Sequence, residues 1–125
     1  MKYFVYGTLT SLNSKHFLMS ECQFIGIGIL KDYQMYNISW FPGIQHEPGS
    51  FVKGEIYEIN AETKNKLDDF EEIECGTYRV ESVSVCCENT IVDDVFVYVY
   101  NKNIENKESK IVLPEKQPWK ENNHS

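Results

Sequence analysis

Phe24-Ile25-Gly26-Ile27-Gly28-Ile29-Leu30 alternates isoleucine with glycine. In an extended chain successive side chains point to opposite faces, so Ile25, Ile27 and Ile29 share one face and Gly26 and Gly28 the other. A strand with one bare face marks close approach by a neighbouring backbone, or the bend of a barrel wall. Working outward, Tyr33–Ile38 reads as a further strand. It runs into the turn-rich Trp40-Phe41-Pro42-Gly43, and His46–Ser50 reads as a second turn. Phe51–Ile59 alternates cleanly, with Phe51, Tyr57 and Ile59 opposing Val52, Gly54 and Ile56.

Residues 2–6 are aromatic and β-branched and stop at Gly7, a strand entering a tight turn. Residues 14–20 fit a short helix with Ser14 at its start. A clearer helix spans Ala61–Phe70, capped by Asn60. Tyr78–Cys87 is a strand whose apolar positions change phase between Val80 and Val83, as at a bulge. Val95–Tyr100 is apolar on both faces, as expected of a central strand. About seven strands and one clear helix imply an α+β domain on a curled, mainly antiparallel sheet.

The chain has 125 residues, of which 42% are hydrophobic and 14% aromatic, enough for one domain with an ordinary core. Most of these residues precede position 101. We therefore expect a core over residues 1–100 and an extension over 101–120 that packs partly on it through Ile111-Val112-Leu113-Pro114 and Trp119. Residues 121–125 are expected to be a disordered tail.

The net charge is −7, with no basic run. Nucleic acid and anionic membranes call for a cationic stripe, so neither is an expected partner. No stretch approaches the ~20 apolar residues of a membrane span. The aromatic N-terminus does not read as a signal peptide, and a cytoplasmic location is the expectation. Cys22, Cys75, Cys86 and Cys87 form no Cys-x-x-Cys pair, and His16, His46 and His124 share no ligand spacing with them. No metal site is expected, and the thiols read as reduced and structural.

Two features carry chemistry. At ~100° per residue, Glu71 lies roughly 40° from Leu67 on the helical wheel and so borders the apolar stripe set by Leu67 and Phe70. Asp68, Asp69 and Glu72 lie farther round and can face water. At a helix C-terminus beside apolar groups, a carboxylate is disfavoured, which would raise the Glu71 pKa toward the range useful for proton transfer. Periodicity alone leaves open an ordinary surface carboxylate in an acidic run. The second feature is Tyr6-Gly7-Thr8-Leu9, where a glycine turn after a strand can gather backbone N–H groups into a small anion nest, with the Thr8 hydroxyl as a further donor.

Together these segments resemble the gamma-glutamylcyclotransferase-like family. Tyr6-Gly7-Thr8-Leu9 is similar to its Tyr-Gly-Ser/Thr-Leu signature, and Leu67-Asp68-Asp69-Phe70-Glu71 followed by Tyr78-Arg79 to its Leu-Asp-x-Phe-Glu…Tyr…Arg segment. Val52-Lys53-Gly54-Glu55-Ile56-Tyr57-Glu58-Ile59 resembles its Val-x-Gly-Glu-Val/Ile-Tyr strand. The resemblance implies a small mixed, mainly antiparallel β-barrel with flanking helices and a cavity opening at the first loop. It implies release of 5-oxoproline from a gamma-glutamyl amine or gamma-glutamyl amino acid, with no cofactor and Glu71 as catalytic acid/base.

By the same resemblance, Tyr6, Gly7, Thr8, Leu9, Pro42, Gly43 and Tyr78 would bind substrate, with Tyr78 packing beside the cavity. Trp40-Phe41-Pro42-Gly43-Ile44 resembles the family's cavity-lining loop, or is an aromatic turn packing on the barrel. Arg79 either orients a carboxylate or makes a structural salt bridge. The chain departs from relatives at Thr10-Ser11-Leu12-Asn13-Ser14 and in having Tyr78 and Arg79 adjacent. Both departures bear on the leaving group. A small-molecule binding module on the same fold, for a carboxylate or amine, is the alternative. A monomer or weak homodimer is expected.

Overall fold

The computed structural model describes residues 1–7, 9–10, 13–39, 41–71, 74–117 and 119–120, except the side chains of Ser14, Lys15 and Phe17. Among these residues the chain forms β1 (Lys2–Val5), β2 (Gln23–Asn37), β3 (Pro42–Glu58), the helix α1 (Ala61–Phe70), β4 (Tyr78–Cys87) and β5 (Thr90–Tyr100). The strands close into a barrel in the order β1-β3-β2-β4-β5. Its pairs are antiparallel except β1 with β5, which run parallel. The expected curled α+β sheet is thus a closed mixed barrel.

Five strands replace the roughly seven expected, in part because one pair of predicted strands is a single long bent strand. The segments Phe24–Leu30 and Tyr33–Ile38 merge into β2, which turns at Asp32 (φ 66°). His46–Ser50, expected as a second turn, instead runs within β3. The register jumps there from Lys31↔Phe51 to Tyr33↔His46, so residues 47–50 stand opposite Asp32 alone. The Asp32 side chain steadies this wide bulge by accepting a hydrogen bond from the Gly49 N–H (3.0 Å). The bulge expected between Val80 and Val83 is displaced: pairing with β5 is regular through Val83, and the register shift falls between Val83 and Val85.

The alternating segment explains how the barrel closes. A Cβ on Gly26 would sit 2.6 Å from Cys87 Sγ, and one on Gly28 would sit 2.7 Å from Val85 Cγ1. The glycine face therefore points into the barrel, where side chains from β4 fill the space a Cβ would take. Ile27 and Ile29 point outward and are 55% and 37% exposed. The interior is filled by Phe4, Leu30, Val52, Ile56, Val85, Val95, Val97 and Val99, each nearly or wholly inaccessible. Burying an aliphatic side chain of this size contributes about 1.5–3 kcal/mol.

Between β2 and β4 the ladder holds one pair, Ile29↔Cys86. Farther along this seam, side chains take over. The Glu81 carboxylate accepts hydrogen bonds from the Tyr33 hydroxyl and from Arg79 Nε (2.9 Å), and His46 Nε2 lies 3.1 Å away. Burial pushes the Glu81 carboxyl up, but these hydrogen bonds outweigh it and hold the group below the usual carboxylate range. Arg79, open between two roles in the sequence, lies in this structural ion pair (2.7 Å to Glu81).

The limits of α1 follow local rules. The Asn60 side chain accepts the Thr63 N–H (2.8 Å), and Glu71 is the C-cap, its own N–H reaching the Leu67 carbonyl (2.9 Å). Leu67 is wholly buried in a second cluster with Tyr3, Val5, Met19, Tyr57, Ile59 and Tyr98. Tyr3 and Val5 flank the inward Phe4 on β1, so α1 covers the outer barrel wall. The segment 14–19 is a 3-10 helix. The C-terminal extension bridges Ile111 to Tyr36, and Trp119 is buried against the barrel core. The expected tail, 121–125, lies outside the described residues.

Candidate active-site cavity

β1 ends at Val5 and the chain turns at Gly7, while α1 ends at Phe70 with Glu71 as its cap. Both ends meet around a cavity of about 200 Å³. Of the residues singled out in the sequence, Tyr6, Gly7, Leu9, Pro42, Glu71 and Tyr78 line it. Thr8 lies outside the described residues, as do Trp40 and Glu72. Gly43 is not on the wall: a Cβ there would meet Tyr100 Cβ at 2.7 Å. Its small size serves packing between β3 and β5.

Phe4, Val5, Phe41, Phe70 and Tyr98 complete the lining. Strand alternation could have suggested Phe4, which shares a face with Tyr6. Tyr98 had no such signal, because Val95–Tyr100 is apolar on both faces and gives its hydroxyl no distinguishing position.

The walls are mostly apolar, and the orientation of the few polar atoms sets the chemistry. The Tyr6 hydroxyl donates to the Tyr98 carbonyl (2.7 Å), the Tyr78 hydroxyl to the Pro42 carbonyl (2.6 Å), and the Tyr98 hydroxyl to Asp68 Oδ1 (2.7 Å). A phenol has one proton, so toward any further group these oxygens can only accept. Burial, then the neighbouring Tyr78 and Glu71, push the Tyr6 phenol well above its ordinary pKa. Burial, then the hydrogen bond to Asp68, do the same for Tyr98. Both stay neutral at physiological pH. Among the described lining residues, Glu71 alone carries an ionisable carboxyl or a cation. Glu71 is half-buried at the carbonyl end of α1.

The expectation that Asp68 faces water is corrected. It is half-buried and bonded both to Tyr98 and to Lys64 Nζ (2.5 Å). One turn of helix brings it beneath Tyr98, which wheel geometry alone does not reveal. Asp69 is exposed as expected.

Gly7 is tied to the opposite wall by close approach. A Cβ there would lie 2.5 Å from Pro42 Cγ, closer than non-bonded carbons tolerate. Gly7→Ala should therefore push the first loop and Pro42 apart. We expect a loss of about 1–3 kcal/mol in unfolding stability. If the cavity takes the gamma-glutamyl compounds that the sequence resemblance implies, titration with one should give roughly tenfold weaker binding, from misplacement of the loop. Wild-type binding in a folded Gly7→Ala protein would remove Gly7 from the site.

No group of three or more His, Cys, Asp and Glu among the described residues could hold a metal ion. No helix there is long and apolar enough to cross a membrane.

The model of the family "Gamma-glutamyl cyclotransferase, AIG2-like" matches residues 3–121. The chain is 28% identical over 105 residues to the gamma-glutamylcyclotransferase family protein YtfP of Escherichia coli, covering 84% of this chain and 87% of that protein. It is 35% identical over 81 residues to a putative gamma-glutamylcyclotransferase, PH0828, of Pyrococcus horikoshii, 64% of this chain and 66% of that one. Among solved structures, an AIG2-like protein from Mus musculus superposes with a TM-score of 0.75 at 26% identity, over 87% of this chain and 82% of that chain. With a barrel of the same architecture and a family match running nearly its whole length, this chain belongs to the gamma-glutamyl cyclotransferase, AIG2-like family.

Proposed function

We propose that this protein releases 5-oxoproline from a gamma-glutamyl amine or gamma-glutamyl amino acid. The observation that carries the reading is the shared cavity, with Glu71 on one wall and the Gly7 turn on another. Its volume of about 200 Å³ lies below the ~300 Å³ at which pockets for drug-sized ligands begin. It suits a glutamyl group whose leaving portion extends toward the mouth.

In the proposed reaction Glu71 takes a proton from the substrate's α-ammonium. The freed amine attacks the γ-carbonyl carbon, forming a C–N bond and closing a five-membered ring. The bond to the leaving nitrogen then breaks as Glu71 returns the proton there, and the ring nitrogen sheds its second proton, which the departing amine carries away as its ammonium form. One substrate gives 5-oxoproline and a free amine, with no redox change and no co-reactant. The acceptor oxygens of Tyr6 and Tyr78 suit the ammonium, and main-chain N–H groups of Gly7, Thr8 and Leu9 hold the α-carboxylate. Nucleophile and electrophile share one molecule, so folding the substrate against these walls supplies much of the rate.

The test is 5-oxoproline release from a panel of gamma-glutamyl amines, amino acids and peptides. Catalytic turnover of at least one is expected. Saturable binding with no release from any of them would replace the enzyme with a binding module.

A further inference from the structure

The loop after β1 leaves the sheet at Tyr6, and no ladder fixes its described residues. The Asn13 side chain and the main chain of Trp119, from the far end of the sequence, do so instead. Trp119 donates its N–H to the Tyr6 carbonyl (3.1 Å), and its own carbonyl accepts from Asn13 Nδ2 (2.7 Å). The same Asn13 nitrogen reaches the Gly7 carbonyl and Thr10 Oγ1, each at 2.9 Å. Thr10 adds two hydrogen bonds to the Gly7 carbonyl, from its N–H (3.0 Å) and its hydroxyl (2.7 Å). Asn13 and Trp119 are both buried.

The segment that brings Trp119 here is itself anchored across the barrel. Val112 N–H donates to the Met35 carbonyl of β2 (2.9 Å), and Gln117 Oε1 accepts from the Lys53 N–H of β3 (2.8 Å). The Trp119 ring packs into the interior cluster. The anchor is therefore held to two strands and to the interior cluster near where it meets the loop.

We propose that Asn13 and Trp119 are positioning residues for substrate binding, the C-terminal segment acting as a clasp that sets the Gly7 loop. This rests on the reading that the loop holds the substrate's carboxylate. Pinning the Gly7 carbonyl fixes the plane of its peptide bond, and with it where the loop's N–H groups aim. A clasp of this kind acts on affinity. The proton transfers belong to Glu71, on another wall of the cavity.

Asn13→Ala and Trp119→Ala test this in the full chain, by steady-state kinetics and by amide hydrogen exchange. KM for the best gamma-glutamyl substrate should rise about tenfold or more while kcat stays within roughly threefold. Exchange should quicken at Gly7, Leu9 and Thr10 and hold steady in β3 and β5. Trp119→Phe, which refills the anchor, should recover most of both effects. If Trp119→Ala fails to fold, Asn13→Ala decides alone. A folded Asn13→Ala protein with wild-type KM and unchanged loop exchange would overturn the proposal. So would faster exchange throughout the barrel with kcat and KM altered together, the mark of a purely structural role. Were the wild type to release no 5-oxoproline, the reaction would be wrong, while the exchange data would still decide whether the clasp sets the loop.

Discussion

Glu71→Gln is expected to lower kcat for 5-oxoproline release by about 10²–10⁴-fold, the usual weight of general acid–base catalysis. Glutamine keeps the size and hydrogen-bonding shape of the side chain but cannot accept a proton at neutral pH. KM should change much less, because in the proposed reaction the loop amides rather than Glu71 hold the substrate's carboxylate. Thermal stability should stay level or rise, since the substitution removes a negative charge from the carbonyl end of α1. The control is Asp69→Asn, on the exposed side of the same helix, which should leave kcat near wild type. Asp68→Asn is not a neutral control, because Asp68 accepts the hydroxyl of the cavity residue Tyr98. An active Glu71→Gln protein would end the mechanism, and an equal loss from Asp69→Asn would reduce it to a general charge effect.

Leu67→Ala should produce the largest loss of stability that also reaches the site. Leu67 is wholly buried, one turn before Glu71, and is the apolar anchor of α1 on the outer barrel wall. Truncating a buried leucine removes its transfer free energy and leaves a cavity, together worth about 2–5 kcal/mol. For a domain of this size that is a fall in Tm of roughly 10–20 °C. The Glu71 N–H hangs from the Leu67 carbonyl, so a loosened helix end moves the carboxylate off its wall. At a temperature where the variant is folded, kcat should fall several-fold or more, because small misplacements of a reacting group are expensive. Leu67→Met, close in volume, should lose under about 1.5 kcal/mol. Unchanged thermal unfolding in Leu67→Ala would show that α1 is held by contacts other than this one.

What could be read from the residues was what local physics decides. Asn60 and the Leu67–Phe70 stripe located α1, because a cap and a helical period act within a few residues. Gly7 after an aromatic run located the end of β1. The Ile/Gly alternation divided β2 into two faces correctly. Strand count was less legible: a bulge at Asp32 bends β2 without ending it, and Pro48 and Gly49 resemble a turn although β3 continues through them.

The sequence by itself determined where α1 starts and stops, where β1 gives way to its loop, and that Glu71 borders an apolar stripe. Each depends on neighbours within about one helical turn or two strand residues. Closure of the sheet decided the rest. Only a barrel with β4 side chains against β2 makes glycine the inner face and leaves isoleucine outside. Only the parallel pairing of β5 with β1 sets Tyr98 beside the cavity and above Asp68. The contact of Trp119 with Asn13 joins positions 106 residues apart. No periodicity reports such a meeting, because it is fixed by the space left between packed elements and not by the order of residues within any one of them.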